Sequence, residues 1–138
     1  SMATLVKFNS FTEAVAEKVH NLASDTFTVV FCAAANAPVA TNTQLSNLTT
    51  ISMTNLSSRV LTVSSSSQTA GQYKWVLNDL VLTASGAVPT FRYAVIYNDT
   101  ATNDELVGYL DYGSDVTLAT GETFTLDFDP TNGVLTIG

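Results

Sequence analysis

At 138 residues and 14.6 kDa the chain is long enough for one hydrophobic core and too short for two ordinary domains. Five basic against twelve acidic residues give a net charge of −7, which excludes wrapping a phosphate backbone, and the longest apolar run, Val29 to Ala35, is far short of a membrane span. Charged residues are only 12% of the chain, while 13 Ser, 21 Thr and 10 Asn supply an uncharged polar surface that suits strands and turns better than solvated helices.

Ser1-Met2 reads as the remnant of a cleaved tag, with Met2 the natural start. Glu13, Glu17 and Lys18 interrupt the place where the apolar region of a secretory signal would lie, so export by that route is not expected. One helix is predicted over about residues 10–22. Ser10 and Glu13 have capping-box spacing, and Phe11, Val15, Val19 and Leu22 recur at helical intervals. His20 falls on the exposed side of that helix. The remainder reads as strands. In Asp25 to Cys32, Phe27, Val29 and Phe31 alternate with Thr26, Thr28 and Val30, so one face is the more apolar. Ala33 to Asn47 carries Pro38 among Asn and Thr residues and reads as an irregular connection.

Arg59 to Val63 is rich in β-formers, Ser64 to Gly71 (SSSSQTAG) reads as a polar turn, and Tyr73 to Thr83 as a long strand. Tyr73, Trp75 and Leu77 share one parity and Leu80 and Leu82 the other, so a bulge at Asn78-Asp79 is expected to return them to one face. Phe91 to Tyr97, Leu106 to Tyr112, Asp115 to Leu118, Glu122 to Phe128 and Val134 to Ile137 complete the set. The last two are expected to form a terminal hairpin around Pro130-Thr131-Asn132-Gly133. For the pair 91–97 and 106–112, setting Arg92 opposite Asp111 places Tyr93 opposite Leu110, Val95 opposite Gly108 and Tyr97 opposite Leu106, and neutralises the two charges. Short strands at regular spacing predict a mostly β, antiparallel sandwich or barrel in a single domain spanning 1–138, with one short N-terminal helix.

The chemistry-bearing residues are few. Cys32 is the only cysteine, so no disulfide forms within the chain, and its strand position predicts a packed thiol. His20 is the only histidine and no G-x-S-x-G accompanies it, leaving no general base for a hydrolytic triad. Asp127 and Asp129 share a strand face with Asn132 beyond, but Gly133 is one place late for a calcium loop and no bidentate Glu follows, so a solvated face is expected. Trp75 could serve a sugar-binding face, yet its alternation with Tyr73 and Leu77 favours the core. No catalytic, cofactor or metal residues are assigned. The acidic loop holding Asp99, Asp104 and Glu105 is the candidate interaction site.

The strings NSFTEAVAEKVHNLASDTFTVVF, APVATNTQLSNLTTI, FRYAVIYNDT, LVGYLDYGS and TLATGETFTLDFDPTNGVLTI resemble, in that order and over almost the whole chain, small virion structural proteins of tailed bacteriophages. The segment VVFCAAANAPV departs from the more polar LTNTAPV-like pattern of that group at the surroundings of Cys32. The resemblance implies a β-sandwich with jelly-roll character that acts as a head decoration or cement protein, made in the bacterial cytoplasm and carried in the virion. Capsid proteins and sister subunits are then the expected partners, with a trimer placed ahead of a dimer by analogy with capsid symmetry. A tail or baseplate module, and a carbohydrate-binding module, are the alternatives.

Overall fold

The structure, a computed structural model, describes residues 4–138; Ser1, read as a tag remnant, and Met2, read as the natural start, lie outside the described residues, as does Ala3. It is mostly antiparallel β with one short helix, as expected. In chain order the elements are β1 (Val6–Lys7), α1 (Phe11–Ala16), β2 (Phe27–Cys32), β3 (Val63–Thr69), β4 (Gln72–Leu77), β5 (Leu80–Thr83), β6 (Val88–Asn98), β7 (Leu106–Leu118), β8 (Thr123–Leu126) and β9 (Leu135–Ile137). Three sheets form, with strand orders β1-β7-β6-β2, β3-β4-β9 and β5-β8.

The main core is filled from one face of the four-stranded sheet and from both smaller sheets. Phe27, Val29 and Phe31 of β2 and Phe91, Ala94 and Ile96 of β6 meet Trp75, Leu77, Leu82, Phe124, Leu126 and Leu135. Aromatic edges lock it: Phe91 stands nearly perpendicular to Phe124 at 5.3 Å, and Phe27 meets Trp75 edge-on at 4.9 Å. A second, smaller core lies on the other face of the four-stranded sheet, where Phe8, Val30, Cys32, Val95, Tyr97 and Leu106 are covered by Leu45, Leu48 and Met53. The cover comes from a stretch that begins as the irregular connection expected over 33–47 and runs on to residue 62, with short 3₁₀ turns at Ala34–Asn36 and Leu45–Asn47 and no named strand before β3. Strand β2 is therefore buried at all six positions rather than on one face.

The helix is shorter than the apolar spacing predicts, ending at Ala16. Lys18 adopts φ 64, Lys18 N–H bonds the Val15 carbonyl and Val19 N–H the Ala14 carbonyl. These two bonds form a Schellman stop with a lysine where glycine is usual. No capping-box bond forms either, because Ser10 itself has helical backbone angles and its side chain caps nothing. The serine run also differs from expectation. Most of it is strand β3, and the reversal is confined to Ala70-Gly71, both at positive φ, with Thr69 opposite Gln72. Two consecutive positive φ values are the geometry of a tight hairpin turn, which Asn-Gly would have announced and Ala-Gly did not.

The parity change at Asn78-Asp79 is not a bulge within one strand: β4 ends there and β5 joins a different sheet, paired with β8. Leu82 still returns to the core beside Trp75 and Leu77. The terminal hairpin is likewise absent, since β8 pairs with β5 and β9 with β4. Both crossings occur at one place, where the Asp79 carboxylate accepts Phe128 N–H at 2.8 Å. On the return side Asp129 Oδ1 accepts the N–H groups of Thr131 and Asn132, and Val134 N–H bonds the Trp75 carbonyl. Gly133 is required here: it has φ +78, and a Cβ would stand 2.8 Å from the Trp75 carbonyl oxygen.

Strands β6 and β7 are adjacent, but most of the pairing is shifted by one residue from that expected. Tyr97 faces Leu106 as predicted, then a bulge at Val107 sets Ile96 opposite Gly108, Val95 opposite Tyr109 and Tyr93 opposite Asp111. A second irregularity places Tyr112 to Asp115 between the pairs Tyr93–Asp111 and Phe91–Val116, so β7 continues through Gly113 instead of turning there. These shifts let Phe91 join Ala94 and Ile96 in the main core, while Val95 and Tyr97 enter the smaller one. The Arg92–Asp111 ion pair forms nonetheless: Nε donates to Oδ1 at 2.9 Å and Nη2 to Oδ2 at 3.3 Å, and Gly113 N–H also bonds Oδ1.

The sheet switch carries a direct test. Leu82→Ala should cost about 2 to 5 kcal/mol in urea denaturation, whereas Val81→Ala, at a neighbouring position 56% exposed, should stay within about 0.5 kcal/mol. Equal losses at the two positions would contradict the face assigned to β5.

Candidate functional site

The acidic loop between β6 and β7 is organised by the residue that opens it. Asn98 is fully buried, and its amide binds on both sides. Oδ1 accepts the N–H groups of Thr100 and Ala101 at 3.0 and 3.2 Å, which sets the turn. Nδ2 faces Asp25 Oδ2 at 2.8 Å, His20 Nδ1 at 3.0 Å and the Val19 carbonyl at 3.4 Å. The loop is held further by Asp99 N–H to the Thr26 carbonyl, Thr26 N–H to the Thr100 hydroxyl at 2.8 Å, and Leu45 N–H to the Asp104 carbonyl. Asp104 takes φ 51, and Glu105 Oε1 accepts Asn103 N–H at 2.7 Å.

Of the three acids singled out from the sequence, Asp99 is exposed, while Asp104 and Glu105 are half-buried. Their carboxylates are not gathered into a metal-binding group; among the described residues no three His, Cys, Asp or Glu side chains are placed to hold an ion. Asp25 and Glu105 instead border a cleft of about 380 Å³ together with Lys18, Asn21 and Thr100. Around the α1 exit, an open groove of about 520 Å³ runs from Val15, Lys18 and Leu22 to Ser66, Tyr73 and Ile137. Asp127 is exposed, while Asp129 serves the chain reversal already described, where the hydrogen bonds from Asn132 and Thr131 hold its carboxyl below the usual range.

His20 is a correction to the sequence reading. It is not on a solvated helix face but 5% exposed, following the Schellman turn and packed between Phe11 and Phe27. Nε2–H donates to the Leu106 carbonyl at 3.3 Å and Nδ1 accepts from Asn98. These partners select the neutral Nε2–H tautomer, since the Asn98 amide orientation is fixed by the two backbone donors on its oxygen. With both ring nitrogens engaged, His20 has no lone pair free to take a proton from a substrate. No sequence signal marked this position, because Val19 and Leu22 continue the helical spacing past Lys18. Nothing in the spacing linked it to Asn98, which lies 78 positions away.

Cys32 and Trp75 are both fully buried. Burial pushes the Cys32 thiol up to about 11. Trp75 donates its indole N–H to the Leu22 carbonyl at 2.8 Å, so it is a core residue and not a platform for a sugar. No protein-family model matches the chain, nor does any curated protein or solved structure.

Two predictions follow from these environments. Burial holds His20 below its ordinary value, against the opposing effects of the Leu106 carbonyl, Glu105 and Asp25. The unfolded chain therefore takes up this proton first, so His20's contribution is complete above pH 6.5 and declines as the pH falls below it. Protonation would turn an N–H at Nδ1 toward the Asn98 amide N–H and release the start of the acidic loop. Urea midpoints should fall below pH 6.5 in the native chain and fall less in His20→Gln; parallel curves would remove His20 as the cause. Cys32, protonated and enclosed, should resist thiol reagents at neutral pH in the native chain and react fully once unfolded. Rapid native modification would refute the packing of the smaller core.

Proposed function

We propose that this chain is a structural protein of a tailed-bacteriophage virion, a decoration or cement protein on the outside of the head, made in the host cytoplasm. The observation that carries this reading is the ordered resemblance of five segments, spread from Asn9 to Ile137, to small virion structural proteins. The surface chemistry is compatible with it. Hydroxyl groups meet one another on exposed strand faces, as in Thr90 with Thr117 at 2.9 Å and Ser65 with Ser67 at 3.4 Å, where a soluble enzyme would more often place charges. Among the described residues no helix is long and apolar enough to cross a membrane.

In this reading the chain acts by occupying a site on the capsid lattice, without chemistry. The Asp99–Glu105 loop is the contact element offered to capsid proteins or sister subunits, because the hydrogen bonds of Asn98 to Thr100 and Ala101 set its turn beforehand and so lower the ordering entropy lost on docking. Beyond Asp99, Asp104 and Glu105 the chain offers few charges to a partner, so adsorption depends on salt only through those three acids and is expected to vary weakly. Placement in a tail or baseplate is the alternative, separated from the first by where the chain binds.

The test is co-sedimentation of the purified chain with heads lacking it and with isolated tails, across a salt series. Adsorption to heads that persists from low to physiological salt is expected. Binding to tails alone would favour the alternative, and a steep loss of binding with salt would exclude an uncharged contact surface.

A further inference from the structure

Strand β3 is a long, bare edge. The four-stranded sheet ends at the two-residue β1 and at β2, whose free side takes backbone hydrogen bonds from the 51–61 segment, including Val29 N–H to the Arg59 carbonyl and Ile51 N–H to the Phe31 carbonyl. Strand β5 is flanked through Ser57 N–H to the Thr83 carbonyl, and β9 is three residues long. β3, at seven residues, pairs only with β4, and among the described residues no backbone hydrogen bond reaches its outer side. Its sequence, VSSSSQT, has no charge and no proline, the usual means by which an open edge is kept from pairing.

We propose that β3 pairs antiparallel with β3 of a second copy across a two-fold axis at Ser66, joining two β3-β4-β9 sheets into one continuous sheet. This rests on the reading of the chain as a self-associating virion component and names the surface that would do it. The register follows from the hairpin. A two-residue loop closes on a hydrogen-bonded pair, here Thr69 with Gln72, so Thr69 and Ser67 direct their backbone groups toward β4. Gln68 and Ser66 then direct theirs outward. An axis at Ser66 sets Ser66 against its own copy and Ser65 against the second copy's Ser67, while Ser64, the extra residue where the β3–β4 register shifts, marks the end of the regular pairing.

A second copy is the favoured occupant because of charge. Self-pairing sets each residue against the same few residue types, so a charged strand would repel itself, whereas every facing pair here is small or neutral. The chain carries −7, yet none of its acids lies in β3, β4 or β9, where Lys74 is the only charged residue. Two copies thus approach through a sheet without the carboxylates that would oppose contact elsewhere. Antiparallel pairing of identical edges closes on itself, so this surface makes dimers, while the trimer expectation rests on capsid symmetry alone.

Sedimentation velocity over a concentration series tests the idea, with S65K/S67K and S65K/S67E as paired variants whose fold is checked by thermal unfolding. Position 65 faces position 67 of the other copy twice, so S65K/S67K should weaken dimerisation roughly tenfold, and S65K/S67E should restore it. Native chain that stays monomeric up to its solubility limit, sediments as a trimer, or dimerises equally in both variants would overturn the proposal. Capsid adsorption is read separately: a monomer that coats heads leaves the virion reading intact and this surface refuted, and a dimer that ignores heads does the reverse.

Discussion

Strand β2 ends the four-stranded sheet yet has both of its faces buried. Phe27, Val29 and Phe31 point into the main core, and Val30 and Cys32 into the smaller one. Full burial of each large apolar side chain contributes about 1.5 to 3 kcal/mol, so a strand buried on both faces is a strong organising element, but it also demands two covers. The two smaller sheets supply one. The 33–62 connection supplies the other through Leu45, Leu48 and Met53, and its backbone bonds occupy the strand's free side. A long stretch with almost no regular secondary structure is ordered because it finishes a core.

The two smaller sheets are held together by one crossing. The chain leaves β4 for β5 at Asn78-Asp79, and returns from β8 to β9 past Asp129. Asp79 ties the outgoing crossing to Phe128, Asp129 shapes the return, and Gly133 allows the backbone to pass against Trp75. Asp79 and Asp129 are therefore engaged in satisfying backbone N–H groups where the sheets interrupt. Such groups would otherwise be left unpaired next to a dense aromatic core.

The acidic loop illustrates how a surface element acquires a fixed shape without a core of its own. Buried Asn98 and His20 join half-buried Asp25 in a polar group in which each donor finds an acceptor, and its outer end sets the turn at Thr100 and Ala101. The same matching makes the group sensitive to protonation, because a second N–H on His20 would have no acceptor.

Composition and periodicity by themselves determined the mostly β, antiparallel class, the presence of one N-terminal helix, the apolar face of β2, the core place of Trp75, and the irregular character of 33–47. Those properties depend on local alternation and turn chemistry, which a single stretch of chain contains. The helix end was hidden because Lys18 occupies a left-handed position usually given to glycine, and the β3 hairpin because Ala70 does the same. The β6–β7 register, the sheet switch at Asn78-Asp79 and the separate partners of β8 and β9 were decided only by the tertiary structure. Bulges at Val107 and around Gly113 answer to two cores at once, and facing pairs on two strands cannot reveal a second core supplied by residues 45–53. The burial of His20 has the same origin: its partners, Asn98 and Leu106, come from strands that meet it only after the sheet has formed.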